Sequence, residues 1–176
     1  APQKQIQGLD GDVAYNVPVN GPPARASEET AKDRRLAMYH HPVGIVRAAL
    51  AEGSEITNPR KDGNDDVVDI TTAQGHKLTL YVGSDKLPTK VVSMTANNAN
   101  WPLGDAVVET TFADYADADG LKLPRRITSK TDKYTTADLQ ITKNTVNGAA
   151  GDIAAPDPVK SAAAPTLTAM VTAEEV

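Results

Sequence analysis

Three histidines, His40, His41 and His76, are the side chains of this chain best suited to metal binding or proton transfer. His40 and His41 are adjacent, so on a helix their side chains point about 100° apart and do not clamp one metal ion together. His76 begins a predicted strand and has no carboxylate beside it. Because catalytic zinc needs three converging protein ligands, we interpret all three as structural or surface residues and predict no metal site.

The acidic residues offer one spacing that is typical of calcium loops. Asp62, Asn64 and Asp66 match the first three ligands, but the glycine lies between them at Gly63, and Thr72–Gln74 occupy the place of the closing Glu. We therefore interpret Asn58 to Asp66 as a solvated polar loop between strands.

Other carboxylates and hydroxyls follow no catalytic pattern. Asp114, Asp117 and Asp119 surround a predicted hairpin turn, where aspartate is common without any chemistry. The chain has no G-x-S-x-G, no G-x-x-x-x-G-K, no G-x-G-x-x-G and no cysteine, which excludes thiol catalysis and disulfides. The sequence therefore predicts no catalytic residue and no cofactor in this chain, and it identifies no ligand-binding residue.

Composition and charge disfavour two classes of partner. The net charge is −5 without a Lys/Arg block, so a nucleic-acid surface is disfavoured. No apolar run approaches the length of a membrane-spanning helix, about 18 residues. Trp101 lies in a predicted exposed loop, where a lone tryptophan more often caps a core edge or contacts a neighbouring domain than binds a ligand.

The element around which the fold is predicted to form is a β-hairpin from Asp105 to Thr128. Its first arm alternates β-branched and aromatic residues, and Asp119-Gly120 supplies the positive φ angles of a tight turn. Pro124 removes a backbone donor from the return strand, which should lie at an edge or bulge there.

Further strands and helices are predicted around this hairpin. Asp10-Gly11 indicates a first hairpin, and alternation after the polar loop predicts successive antiparallel strands. Helices are predicted near residues 27–39, with Ser27 as N-cap, and 42–52, beginning at Pro42. We expect an α+β domain over residues 1–147, in which two helices pack on one face of a curved, mainly antiparallel sheet. Residues 148–176, rich in Pro and Ala, are expected to form an extended linker or tail that docks on another domain or chain.

The second helix is predicted to cover the sheet with Ile45, Val46, Ala49 and Leu50. A helix laid on a curved sheet leaves either a filled two-layer core or an unfilled surface, which would be a groove for an apolar ligand or a site that a missing domain fills. The sequence leaves both alternatives open.

Three stretches carry a family resemblance. They are 12–16 (DVAYN), 41–50 (HPVGIVRAAL) and 103–127, which ends in DGLKLPRRI. Together they resemble the N-terminal region of exported bacterial metallo-β-lactamase-fold hydrolases, a region that is similar to the lipoprotein-carrier (LolA/LolB-like) half-barrel. The resemblance runs from about Asp12 to Val176, without the H-x-H-x-D-H motif that holds zinc in such hydrolases.

The resemblance implies a periplasmic or secreted, non-catalytic accessory or substrate-presenting domain. Its implied partner is a C-terminal metallo-hydrolase domain, which would hold the zinc, or another chain. The half-barrel is expected to be incomplete, since the family's upstream strands are missing from this sequence. The alternative function is an independent periplasmic carrier that binds a lipid or another apolar ligand.

Overall fold

A computed structural model describes residues 6–95, 105–149 and 153–166. It contains ten strands and three helices within these ranges. The strands are β1 (Ile6–Asp10), β2 (Val13–Val17), β3 (Ala24–Arg25), β4 (Glu55–Asp62), β5 (Asp65–Thr71), β6 (Lys77–Val82), β7 (Pro88–Thr95), β8 (Ala106–Ala118), β9 (Leu121–Thr131) and β10 (Tyr134–Gln140). The helices are α1 (Glu28–Tyr39), α2 (Pro42–Ala49) and α3 (Asp157–Ser161). The predicted α+β class with a mainly antiparallel sheet agrees with this arrangement.

The chain divides into two compact units, and the division falls inside α1. The first unit comprises residues 1–35 and 150–176, and the second comprises residues 36–149. The predicted single domain over residues 1–147 therefore differs from the observed division. Sequence patterns placed the boundary where bulky residues become rare, whereas the described part of the C-terminal segment packs on the N-terminal strands.

The first unit contains the small sheet β1-β2-β3, and the predicted hairpin at Asp10-Gly11 is confirmed there. Val159 of α3 and Ala155 are buried against Tyr15, with Val13 and Val17 packed around them. Residues 153–166 are therefore not an extended linker. Small side chains suffice for this packing because the partner surface of the strands supplies most of the apolar area.

Polar contacts also join residues 153–166 to the strands β1 and β2. The Tyr15 hydroxyl donates to the Ile153 carbonyl over 3.0 Å, and the Ala155 N–H donates to the Asp10 carboxylate. Lys160 and Asp10 form an ion pair at 3.2 Å. Together, these contacts lower the pKa of Asp10, first through the Ala155 N–H and then through Lys160. Such long-range contacts leave no periodic signal in a sequence, which is why composition alone indicated a linker.

The second unit contains a seven-stranded antiparallel sheet in the order β10-β9-β8-β7-β6-β5-β4. Its two edges, β10 and β4, do not pair with each other, so the described strands form no closed barrel. The predicted hairpin of β8 and β9 is confirmed, with Ala118 opposite Leu121 across the Asp119-Gly120 turn. Pro124 lies where β10 has already ended, because β10 pairs with β9 only as far as Arg126. The prediction of an edge position for Pro124 is thus confirmed.

The prediction that Asn58 to Asp66 form a polar loop is wrong for most of these residues. Most of it belongs to β4 and β5, which are joined by a tight turn at Gly63, whose φ is +58°. The strand was hidden because β4 is exposed along its full length, so its sequence shows no alternation of apolar and polar residues.

One face of the large sheet, the covered face, packs beneath α2. Ile45 is fully buried there against Ile70, Leu78, Leu80, Val91 and Phe112. The space beneath α2 is thus a filled core, the first of the two alternatives that the sequence left open. Two of the predicted core-facing residues do not contribute, since Val46 is 39% and Leu50 77% exposed.

A glycine sets how closely the two helices of this layer approach. A Cβ atom at Gly44 would overlap the Met38 carbonyl oxygen of α1. Helix propensity alone favours Gly44→Ala by up to about 1 kcal/mol, but this overlap with backbone atoms reverses the sign. We expect Gly44→Ala to lower the free energy of unfolding by about 2 kcal/mol. Urea denaturation followed by circular dichroism measures it, with Arg47→Ala at an exposed position of the same helix as the control. A more stable Gly44→Ala protein would contradict the observed helix contact.

Candidate functional site

The three histidines lie in different surroundings and do not come together. His41 is exposed and caps α2, where its Nδ1 accepts the Val43 N–H. His76 packs edge-on against the Tyr39 ring, with 5.7 Å between ring centroids. His40 follows the last residue of α1 and reaches the covered face of the sheet. Within the described residues, no three His, Asp or Glu side chains are placed to hold a metal ion.

His40 is the centre of a hydroxyl network that the sequence did not reveal. Its Nε2 lies 2.8 Å from Ser93 Oγ on β7, and its Nδ1 lies 3.0 Å from Thr110 Oγ1 on β8. Thr110 in turn lies 3.0 Å from Ser129 Oγ on β9. Both ring nitrogens and three strands are therefore linked, and burial lowers the pKa of His40 to about 4. Small polar residues at inward positions of neighbouring strands were the available sequence signal.

A serine beside a histidine also suggests a nucleophile with its base. Ser93, however, is only 4% exposed, and a histidine with a pKa of about 4 is a weak base near neutral pH. The second ring nitrogen contacts a hydroxyl rather than a carboxylate, so the negative charge that stabilises an imidazolium after proton transfer is not supplied by this contact. The network fits a structural role that satisfies polar groups inside the core.

Of the three predicted calcium-like residues, Asp66 is held by ion pairs. Asp66 pairs with Lys61 at 2.6 Å and Lys86 at 3.3 Å, and these ammonium groups lower its pKa. Asp62 lies at the end of β4 directly opposite Asp65. The turn is a salt-bridged hairpin, in agreement with the interpretation of these carboxylates as solvated. Asp119, at the other predicted turn, accepts the Val146 N–H.

The opposite side of the sheet, the open face, carries a groove. The strand register shows which residues lie on the open face. One row across six strands consists of Thr57, Asp69, Thr79, Val92, Glu109 and Lys130. A groove of about 930 Å³ lies at the β4–β8 part of this sheet, and Leu36 of α1 also borders it. Its open-face lining includes Thr71, Lys77, Thr79, Val92, Met94 and Val107. This volume falls within the range of sites for small molecules, which is roughly 300–1,000 Å³.

The groove combines exposed apolar and polar groups. Met94 is 61% and Val107 40% exposed, and the two are directly opposite each other in the β7–β8 register. Threonine hydroxyls and the Lys77 ammonium lie on the neighbouring strands β5 and β6. Apolar contact area with a few polar groups beside it is the usual composition of a ligand site.

Several other charged residues of the open face form ion pairs with one another. Arg60 lies 2.9 Å from Asp69, whose pKa is lowered first by Arg60 and then by Asn58. Lys90 lies 3.7 Å from Glu109 and stacks on the Tyr81 ring at 3.9 Å. Each pair neutralises its own charges, so these residues add no net charge to the groove.

Trp101 and its neighbours, the segment 96–104, lie outside the described residues, so the expected role of Trp101 stays a prediction. No helix among the described residues combines the length and the apolar character needed to span a membrane. Comparisons with protein-family models, with curated proteins and with solved structures found no match for this chain.

The candidate site is the groove on the open face, identified by its lining residues and its volume.

Proposed function

We propose that this chain is a non-catalytic, substrate-presenting domain that holds an apolar or amphipathic molecule in the groove of its open face. The observation that carries the proposal is the pair Met94 and Val107, which expose apolar surface side by side within a cavity of about 930 Å³. Exposed apolar residues that are contiguous and concave mark binding sites more often than scattered ones do.

The proposal is tested with a neutral apolar fluorophore, N-phenyl-1-naphthylamine, titrated into the protein. We expect saturable binding that Met94→Asp weakens by at least about tenfold, because the added carboxylate must lose water on contact with the probe. Leu50→Asp is the matched control, since Leu50 is 77% exposed at the C-cap of α2 and lies away from the open face. Absence of saturable binding, or equal weakening by both variants, would contradict the proposal.

The family resemblance supports the wider assignment, an accessory domain of an exported metallo-β-lactamase-fold hydrolase. The hairpin of β8 and β9, with its Asp119-Gly120 turn, and the start of α2 at Pro42 are the resembling stretches, and both are regular elements of this fold. In this assignment zinc would belong to a C-terminal domain, and the half-barrel would be completed by strands outside this sequence. The coding sequence after Val176 tests it, since an H-x-H-x-D-H motif should occur within a few dozen residues.

The second candidate function is an independent periplasmic carrier for a lipid or another apolar ligand, and the same exposed pair Met94 and Val107 favours it. The two functions differ in the fate of the bound molecule. A carrier binds and releases its ligand alone, whereas a presenting domain hands it to a hydrolase. Absence of the zinc motif after Val176, together with saturable probe binding, would support the carrier.

A further inference from the structure

Lys77 lies in the groove beside its apolar pair. The β6–β7 register places Leu78 opposite Ser93, and one further residue along the same ladder places Lys77 opposite Met94. Met94 is in turn opposite Val107, and Thr71 is opposite Lys77 on the other side. Neighbouring strands lie about 4.8 Å apart, so a hydroxyl, an ammonium and two apolar side chains follow one another in a single row.

Lys77 differs from most other cations of the open face. Arg60, Lys90 and Arg126 each have a carboxylate partner, at 2.9, 3.7 and 3.1 Å respectively. Among the described residues, neither Lys77 nor Lys130 forms an ion pair within 4.0 Å. Of these two lysines, Lys77 borders the groove.

The carboxylates near the groove do not compete for this ammonium. Asp69 is held by Arg60, Asn58 and Thr79. Glu55 lies on β4, two strands from Lys77, and is opposite Thr71. A cation without an ion-pair partner in the described part of the chain, beside exposed apolar side chains, is complementary to a ligand that is itself anionic and apolar.

From this row of residues we infer that the groove takes an amphipathic anion, whose carboxylate, sulfonate or phosphate pairs with Lys77 while its apolar part lies on Met94 and Val107. The inference rests on the proposed binding function and specifies its ligand class. The Thr71 hydroxyl, in the strand next to Lys77, can donate to the same anionic group. A neutral apolar ligand would use the apolar pair alone.

The test compares two probes that differ in one group. N-phenyl-1-naphthylamine is neutral, and 1-anilinonaphthalene-8-sulfonate carries a sulfonate on the same ring system. We expect Lys77→Glu to weaken binding of the sulfonate probe by about tenfold or more, because it replaces an attractive charge with a repulsive one, and to change binding of the neutral probe less than about twofold. Raised salt should weaken the sulfonate probe selectively, as screening requires.

Lys130→Glu is the matched control, an exposed lysine of the same face that does not line the groove. It should change binding of both probes by less than about twofold. Equal effects of Lys77→Glu and Lys130→Glu, or an equal effect of Lys77→Glu on both probes, would overturn the inference about the anionic group. If the inference about the anionic group failed but Met94→Asp still weakened binding of the neutral probe by about tenfold, the proposed function would stand without this ligand class. No binding of either probe would refute both.

Discussion

Ile45→Asp is expected to unfold the second unit or to lower its free energy of unfolding by at least about 4 kcal/mol. Ile45 is 0% exposed and lies at the centre of the core between α2 and the covered face. The residues buried with it in this core are apolar, including Ile70, Leu78 and Val91. The aspartate would lose the buried apolar contact and would place a carboxylate in a site without a cationic partner.

Val46→Asp provides the matched control for this substitution. Val46 is the next residue of the same helix, with 39% of its surface exposed, so its carboxylate would remain in water. We expect a change below about 1 kcal/mol for Val46→Asp in urea denaturation followed by circular dichroism. Similar stabilities for the two variants would show that α2 does not cover the sheet as described.

The sequence alone does not predict that Ile45→Asp and Val46→Asp differ in their effect on stability. The helical period identified the apolar residues of α2, but it assigned Ile45, Val46, Ala49 and Leu50 to one buried face. The helix has only eight residues, and it packs on the sheet core through Ile45 and Ala49, whereas Val46 and the C-cap residue Leu50 are exposed to solvent. The width of a buried face depends on the partner surface, which a periodicity does not contain.

Local signals predicted the hairpins well because turn chemistry and alternation are properties of neighbouring residues. Asp10-Gly11 and Asp119-Gly120 both join antiparallel strands as expected. The edge strand β4 and the packing of Val159 in the first unit were missed for the opposite reason. β4 has no buried side to produce alternation, and Val159 is buried by contacts with Tyr15, which is far earlier in the sequence.

The candidate site illustrates the same limit. Lys77, Met94 and Val107 are on three different strands, and only the register of β6, β7 and β8 brings them into one row. The alternation of Lys77, Leu78 and Thr79 in the sequence is typical of a strand with one polar side, but it does not indicate what lies beside Lys77. The His40 network is equally dispersed, since its partners come from β7, β8 and β9.

Acidification is expected to destabilise the fold through His40 well before most carboxylates titrate. The pKa of His40 is about 4 in the folded chain, against an ordinary value near 6.5, because burial penalises the imidazolium. Above about pH 6.5 the ring is neutral in both folded and unfolded chains, and it contributes no pH dependence. As the pH falls from about 6.5 towards 4, the unfolded chain binds a proton that the folded chain does not, so stability is lost in this window.

The size of this effect is set by the separation of the two pKa values. A difference of about 2.5 units corresponds to roughly 3 kcal/mol once the pH is below both values, and most of it is lost by about pH 4.5. The hydroxyls of Ser93 and Thr110 can rotate to accept both N–H groups of an imidazolium, so the hydrogen bonds are not the cause. The cost arises from enclosing a charge whose bonded neighbours are hydroxyls rather than carboxylates.

His40→Gln separates this contribution from that of the acidic groups. Asp66, Asp69 and Asp138 have lowered pKa values through their cationic partners, so their contribution to stability is lost only as the pH falls below the ordinary range of aspartate. Glutamine can bond hydroxyls but does not titrate, and the variant should be less stable than the original protein near pH 7.5. Between about pH 7.5 and 4.5 the original protein should lose roughly 2 to 3 kcal/mol more than His40→Gln does in urea denaturation. Parallel pH profiles for the two proteins would show that His40 is accessible to protons in the folded chain and that the hydroxyl network does not enclose it.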